Sequence, residues 1–404
     1  MPEAPGLLVL MGSGETSPTM VEVHRAAARR LRPGARAVLL DTPYAFQENA
    51  ADISARARRY FARSVGLDVD VAPDAEARVA GADWVFSGPG SPTYALDRWA
   101  RSGVSGDLRA RVRARSGVTV LASAAACTAG LATVPVYEIY KVGAEPHWRE
   151  GIDLLEPLGL RAVLIPHFDN AEGGTHDTRY CYLGERRLSR MERELPPGTA
   201  VLGVDEHTAL VIDLVTEAVE VAGRGGVTVR LPGSATVLPA GTRTGLAELR
   251  HLAEGGAGAG GAPMSSTPAA APQAGVTLEE TIHASERAFA EAVAAPDLAA
   301  AARVVLELEA EIVSWAADTE EDAGGVEQAR ELMRLLIARL GEQAATAGVH
   351  TVIGPLLALR GELRAQGGYA VADALREALL EGGVLVEDTP DGPRWSVAPP
   401  SRVR

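Results

Sequence analysis

The sequence predicts an α/β fold with a doubly wound, mostly parallel sheet, joined through a flexible linker to a mainly α-helical domain ending in a small hairpin. Three observations support this. Across residues 1–252, apolar runs of the buried-strand type alternate with amphipathic helical stretches, the pattern of repeated βαβ units. Residues 253–275 are rich in Gly, Ala, Pro and Ser and include Gly255-Gly-Ala-Gly-Ala-Gly-Gly261, a composition that builds no core. Residues 276–404 read as helical, with patterned runs at 279–294, 298–316, 327–344 and 353–380.

In chain order, residues 6–10 form a first predicted strand, followed by the loop Met11-Gly-Ser-Gly-Glu-Thr-Ser-Pro18. Its glycines would let backbone N–H groups converge on an anion. A helix over 21–31 is stopped by Pro33 and Gly34. A strand over 35–40 ends in Asp41-Thr-Pro-Tyr44; residues 49–64 are helical and 67–71 a short strand. A strand over 82–86 runs into Ser87-Gly-Pro-Gly-Ser-Pro-Thr93 and a helix to about residue 100, and a further helix spans 108–115. Residues 162–165, 201–204 and 209–214 are strands, and 227–231 closes a β-rich edge. Loops at the carboxyl ends of strands gather into one crevice in such sheets. Those carrying Gly12, Gly14 and Glu15, then Gly88, Gly90 and Ser91, then Ser123, should therefore meet.

The stretch Gly117-Val-Thr-Val-Leu-Ala-Ser-Ala-Ala-Ala-Cys-Thr-Ala-Gly130 organises the site. It begins as a β-branched run and turns at once into an Ala-rich helical segment. Ser123 stands at the junction, where a tight turn would expose one nucleophile at the positive end of the helix dipole. Leu121 and Ala125 occupy the places where G-x-S-x-G carries glycine. Cys127, in Ala125-Ala-Cys-Thr-Ala129, is the alternative nucleophile and would need a strand four residues longer. Acyl transfer also needs a base, a group that orients it, and oxyanion donors. His167, at the tip of the strand over 162–165, is the candidate base, with Glu138 to hold its imidazole. The N–H of Ala124 and a donor from the Gly88-Pro-Gly90 loop would form the oxyanion hole.

The run Pro166-His-Phe-Asp-Asn-Ala-Glu-Gly-Gly-Thr-His-Asp-Thr-Arg179 concentrates His167, His176, Asp169, Glu172 and Asp177 just past a buried strand. Arg179, Arg186 and Arg187 are suited to gripping a substrate carboxylate bidentately, or else to pairing with Glu185 and Glu192. Glu15 and Glu206 are further candidate substrate contacts. His147, His176 and His207 match no ligand spacing, so no metal and no cofactor is expected.

The net charge of −14 argues against a general nucleic-acid or anionic-membrane binder. Two cysteines, Cys127 and Cys181, make no disulfide framework and fit a reducing cytoplasm. No positive segment precedes the first apolar run, and no apolar run reaches the roughly 18 residues of a membrane span, so a cytoplasmic protein is expected. Residues 276–404 carry 11 Arg and no Lys against 22 Asp plus Glu.

Two resemblances follow from particular motifs. Residues 5 to about 235 resemble the dipeptidase E and cyanophycinase family, serine peptidases on the class I glutamine amidotransferase-like fold. The motifs are Met11-Gly-Ser-Gly-Glu15, Phe86-Ser-Gly-Pro-Gly90, Ala122-Ser-Ala-Ala-Ala126, Pro166-His-Phe168, Glu185-Arg-Arg-Leu188 and Gly203-Val-Asp-Glu-His-Thr-Ala-Leu210. The resemblance implies a serine hydrolase of a small peptide or amino-acid-derived substrate, with Ser123 as the serine and His167 as the histidine; the alternative is a catalytically inactive, ligand-binding adaptor whose C-terminal helices contact tRNA or a protein partner. Glu138 falls at about the family spacing for the acidic member, with Glu206 as the alternative. The stretch Tyr369-Ala-Val-Ala-Asp-Ala-Leu-Arg-Glu-Ala-Leu379 and then Gly383-Val-Leu-Val-Glu-Asp-Thr-Pro-Asp-Gly-Pro-Arg-Trp395 is similar to the end of cysteinyl-tRNA synthetases. That similarity implies a tRNA partner for residues 276–404. A helical module for protein contact or homo-oligomerisation is the alternative, and the negative charge of this half favours it.

Overall fold

The computed structural model describes residues 6–72, 79, 81–171, 176–256, 278–315, 325–365, 367–381, 383–389 and 392–397, with side chains omitted at 345–352. Glu172, residue 316 and linker residues 257–275 lie outside them.

The chain begins with β1 (Leu7–Met11), α1 (Val21–Ala28), β2 (Ala37–Leu40), α2 (Ala50–Tyr60) and β3 (Asp70–Ala72). It continues with β4 (Trp84–Ser87), α3 (Pro92–Ser102), α4 (Val104–Arg113), β5 (Val118–Ala122) and the short α5 (Ser123–Cys127). Next come β6 (Ala132–Thr133), α6 (Val136–Tyr140), β7 (Arg149–Glu150), β8 (Ala162–Ile165), α7 (Gly184–Glu192) and β9 (Ala200–Val204). The strands β10 (Thr208–Asp213), β11 (Ala218–Gly223), β12 (Gly226–Leu231), β13 (Ser234–Pro239) and β14 (Arg243–Gly245) precede α8 (Leu246–Ala253).

These strands make two principal sheets. The larger has the order β14-β11-β10-β1-β5-β4-β2-β3. It is parallel from β1 through β3 and is extended by antiparallel β10, β11 and β14. Every residue of β1, β2, β4 and β5 is buried, as expected where helices cover both faces. Leu7, Val9 and Met11 pack with α1 and α2 residues such as Val23, Ala27, Ile53 and Ala57. Leu8 and Leu10 join α3 and α4 residues including Leu96, Trp99, Leu108 and Val112 on the opposite face. The alternation along β1 thus sends successive side chains into two separate cores.

The second sheet has the order β13-β12-β9-β8, with β8 and β9 parallel. This corrects two expectations. The strand before His167 belongs to this second sheet, not to the sheet that holds Ser123. The strand expected to close the edge, β12, lies between β9 and β13. The chain passes from one sheet to the other between β9 and β10, through Asp205, Glu206 and His207.

A buried arginine braces the amino ends of β4 and β5. Arg111 donates to the carbonyls of Val79, Ala82 and Val118 and to Thr119 Oγ1. Burial alone pulls its guanidinium down to about 10, and the charges of Asp83 and Asp107 work against that shift.

A second compact unit begins at Leu278. It contains α9 (Leu278–Ala294), α10 (Leu298–Trp315) as far as Ile312, α11 (Gly325–Ala365) and α12 (Tyr369–Glu381), then a hairpin of β15 (Val384–Thr389) and β16 (Gly392–Val397). The helical runs expected at 327–344 and 353–380 are divided differently. One helix of 41 residues continues through Pro355, and the break comes at Gly367 and Gly368. Gly367 takes φ +80, where only glycine is at ease. Arg360, 2% exposed, forks onto both carboxylate oxygens of Asp388 at 2.6 and 2.8 Å and ties α11 to the hairpin. Among the described residues no helix is long and apolar enough to cross a membrane.

Candidate active site

Ser123 is the first residue of α5 and directly follows β5. Its φ of +46 is a conformation rarely adopted by a residue with a Cβ. The bend is needed because β5 is paired with β4 up to Leu121 and with β1 up to Ala122, so the chain must leave the sheet abruptly. Leu121 and Ala125 do not prevent it. Leu121 remains in the strand, and the N–H of Ala125 donates to Gly88 O at 3.2 Å, drawing the β4 loop against the turn. The Ala124 N–H lies in the first turn of α5, where amides have no acceptor within the helix.

His167 follows β8 and also takes a positive φ, +47. Its Nε2 is 2.9 Å from Ser123 Oγ, and its Nδ1 is 2.9 Å from Glu206 Oε1. The carboxylate fixes the tautomer: Nδ1 carries the proton toward Glu206, which leaves Nε2 to accept from the serine hydroxyl. Asn170 Nδ2 donates to the same Glu206 oxygen at 3.1 Å, and Asp169 Oδ1 accepts from the Glu206 backbone N–H at 2.7 Å. Burial would raise the Glu206 pKa. The hydrogen bonds from His167 and Asn170, with the imidazole charge, outweigh that effect and hold it below the usual carboxylate range. Burial raises Asp169, and burial together with the Asp169 charge lifts Asp205 to about 6.

The other candidates fall elsewhere. Glu138 sits in the first turn of α6, and no hydrogen bond joins it to His167, whose Nδ1 is occupied by Glu206. Cys127 lies one turn into α5, 1% exposed and packed with Val134 and Ile139; burial pushes its thiol up to about 12. A thiol so placed is neither at the bend nor ionised near neutrality. Glu15 is wholly buried, and its carboxylate lies against Gly88, where a Cβ would come within 2.6 Å of Oε1. A side chain at Gly88 would therefore displace the Glu15 carboxylate, which supports the loop from beneath. Gly90 packs on Pro43 O at a distance no side chain would tolerate.

Arg179 is held by both oxygens of Asp177 at 2.9 Å and keeps that carboxylate well below its ordinary range. Arg187 donates to Leu183 O, and Arg186 is exposed on α7. Glu185 and Glu192, expected to pair with these arginines, are both taken by Arg230 of β12 at 2.6–2.9 Å. Sequence spacing gave no sign of that partner, which lies 38 residues beyond Glu192. The first loop does not cradle an anion: the Gly12 N–H donates to Thr208 O, and Gly14 lies under the His207 ring.

One segment had no sequence signal. Tyr180, Cys181 and Tyr182 have φ values of +64, +55 and +64, a left-handed turn made without glycine. It is over-determined by contacts to the base: the Cys181 N–H donates to His167 O at 3.1 Å, and the Tyr180 N–H to Phe168 O at 3.0 Å. The Tyr180 ring packs on Phe168 with centroids 4.5 Å apart. Among the described residues no group of three or more His, Cys, Asp or Glu side chains could hold a metal ion.

Comparison with known proteins gives partial likenesses. No family model matches the chain. A peptidase from an acI-B1 Actinobacterium covers 60% of this chain and 97% of its own, at 20% identity and a TM-score of 0.45. A putative peptidase E protein from Listeria monocytogenes covers 58% and 99%, at 13% identity and a TM-score of 0.38. Segments toward the C-terminus match cysteine–tRNA ligases. That of Frankia casuarinae is 38% identical over 88 residues, and that of Heliobacterium modesticaldum 41% identical over 71. These matches take in 20% and 17% of this chain and span only 17% and 15% of the ligases' length.

Proposed function

We propose that the protein is a serine hydrolase that cleaves an amide bond in a small peptide or aminoacyl compound through an acyl-enzyme. The observation that carries this reading is the continuous chain Ser123 Oγ, His167 Nε2, His167 Nδ1, Glu206 Oε1, each contact at 2.9 Å. His167 takes the Ser123 proton as Oγ attacks the carbonyl carbon. Glu206 holds the ring and stabilises the imidazolium so formed. The oxyanion lies against the Ala124 N–H, with the Gly88 N–H as second donor. His167 then protonates the leaving nitrogen, and water, deprotonated by the same ring, releases the acid. A fluorophosphonate probe tests the reading. It should label the wild-type chain and not Ser123→Ala; a wild type that stays unlabelled defeats the hydrolase.

A second reading concerns residues 276–404 and rests on the matches to cysteine–tRNA ligases. This unit binds a partner, tRNA or protein, and its surplus of acidic residues favours protein. A gel shift of the full chain with total tRNA at low salt separates the two: a salt-sensitive shift establishes tRNA, and no shift leaves protein contact.

A further inference from the structure

The residue after Glu206 has no part in the mechanism above, yet both its side chain and its carbonyl are held. His207 Nδ1 lies 2.8 Å from Thr19 Oγ1 and 3.3 Å from Ser17 Oγ. Ser17 Oγ donates to Gly14 O at 2.6 Å, and Ser17 and Thr19 hydroxyls are 2.5 Å apart. Each hydroxyl has one proton to give. Ser17 has given its proton to Gly14, so the contact with Thr19 needs the Thr19 proton. Nothing then remains for Thr19 to offer the ring, and His207 Nδ1 must be the donor. One assignment thus supplies a proton to each of the three short contacts, His207 to Thr19, Thr19 to Ser17 and Ser17 to Gly14 O, and the same Nδ1–H faces Ser17 Oγ at 3.3 Å. It agrees with a neutral ring, since burial pulls His207 below its ordinary pKa despite the nearby charges of Glu206 and Asp169.

Three glycine or backbone contacts close the lock. Gly14, at φ +64, lies so close that a Cβ would fall 2.1 Å from His207 Nδ1. Gly223 packs equally tightly on His207 O, which also accepts the Arg224 N–H at 3.0 Å. His207 itself is strained, with φ +50. Its peptide bond with Glu206 is therefore anchored to the loop after β1, exactly one residue from the carboxylate that orients His167.

We infer that His207, in its Nδ1–H form, is a positioning residue: through the Thr19–Ser17–Gly14 relay it sets the backbone that aims Glu206 at the imidazole of His167. The inference rests on the hydrolase reading for its effect on rate, and on the hydrogen-bond geometry alone for its effect on the imidazole. His207→Ala should slow fluorophosphonate labelling of Ser123 by about 10–100-fold, the usual result of a misplacement near 1 Å. His207→Asn, whose amide can donate to Thr19, should recover most of that loss. Thr19→Val should slow labelling too, and the double variant His207→Ala/Thr19→Val should be no slower than His207→Ala. ¹⁵N spectra of histidine-labelled protein give a readout that needs no activity. Wild-type His207 should show a protonated Nδ1, and the His167 Nδ1 proton held by Glu206 should move upfield or vanish in His207→Ala. A protonated Nε2 on wild-type His207 overturns the inference, as does an unchanged His167 proton in a folded His207→Ala. If the alanine variant does not fold, Thr19→Val carries the same test. Wild-type chain that resists labelling sinks the hydrolase and still leaves the spectra to decide on His207.

Discussion

At the scale of single residues, the arrangement separates two carboxylates that look alike in the sequence. Glu206→Gln removes the charge that stabilises imidazolium and should lower labelling of Ser123 by about 10²–10⁴-fold. Glu138→Gln should change it less than about twofold, because no hydrogen bond joins Glu138 to the ring. Labelling rates of the two variants side by side check this. His24 supplies a pH prediction. It is wholly buried among Tyr60, Phe61, Trp84 and Phe86, with Nε2 2.7 Å from Glu15 O, and burial lowers its pKa from 6.5 to about 4. The unfolded chain then binds the proton more readily, so this contribution to stability is present above pH 6.5 and is lost as pH falls toward 4. The loss amounts to about 3 kcal/mol. Asp205, raised to about 6, acts in the opposite direction over part of that range. Urea unfolding of wild type beside His24→Leu isolates the His24 effect: wild type should lose stability relative to the variant between pH 7 and 4, and an unchanged relative stability contradicts it.

At the scale of elements, Arg111 is the brace whose removal should cost most. Arg111→Met removes the buried donations to the carbonyls of Val79, Ala82 and Val118, of which Val79 O keeps the Ala82 N–H, and should destabilise the chain by about 3–5 kcal/mol. A lower urea midpoint at unchanged slope would show it. The elements themselves were largely legible. Strands such as Val118–Ala122 are short apolar runs, and the bend at Ser123 follows from such a run meeting alanines. Partners brought together by the fold were not legible. Nothing local distinguishes Glu206 from Glu138, since only the pairing of β8 with β9 places residue 206 beside residue 167. The left-handed turn at Tyr180–Tyr182 was hidden for a different reason: it uses residues that disfavour the conformation, so composition points away from it. The glycines of the first loop were visible, but their use was not, because the ring that presses on Gly14 comes from residue 207.

At the scale of the whole molecule, the reactive groups all belong to the first of the two compact units. Within the first unit, Ser123 hangs from one sheet and His167 from another, while Glu206 sits on the strap of chain that crosses between them. The reactive trio therefore works as a gauge of slippage between two plates. Mild urea that lets the plates slide should silence the serine while each plate still keeps its own hydrogen bonds. Loss of labelling should thus come at a lower urea concentration than loss of far-ultraviolet ellipticity, and coincident curves would mean that the plates part only when they melt.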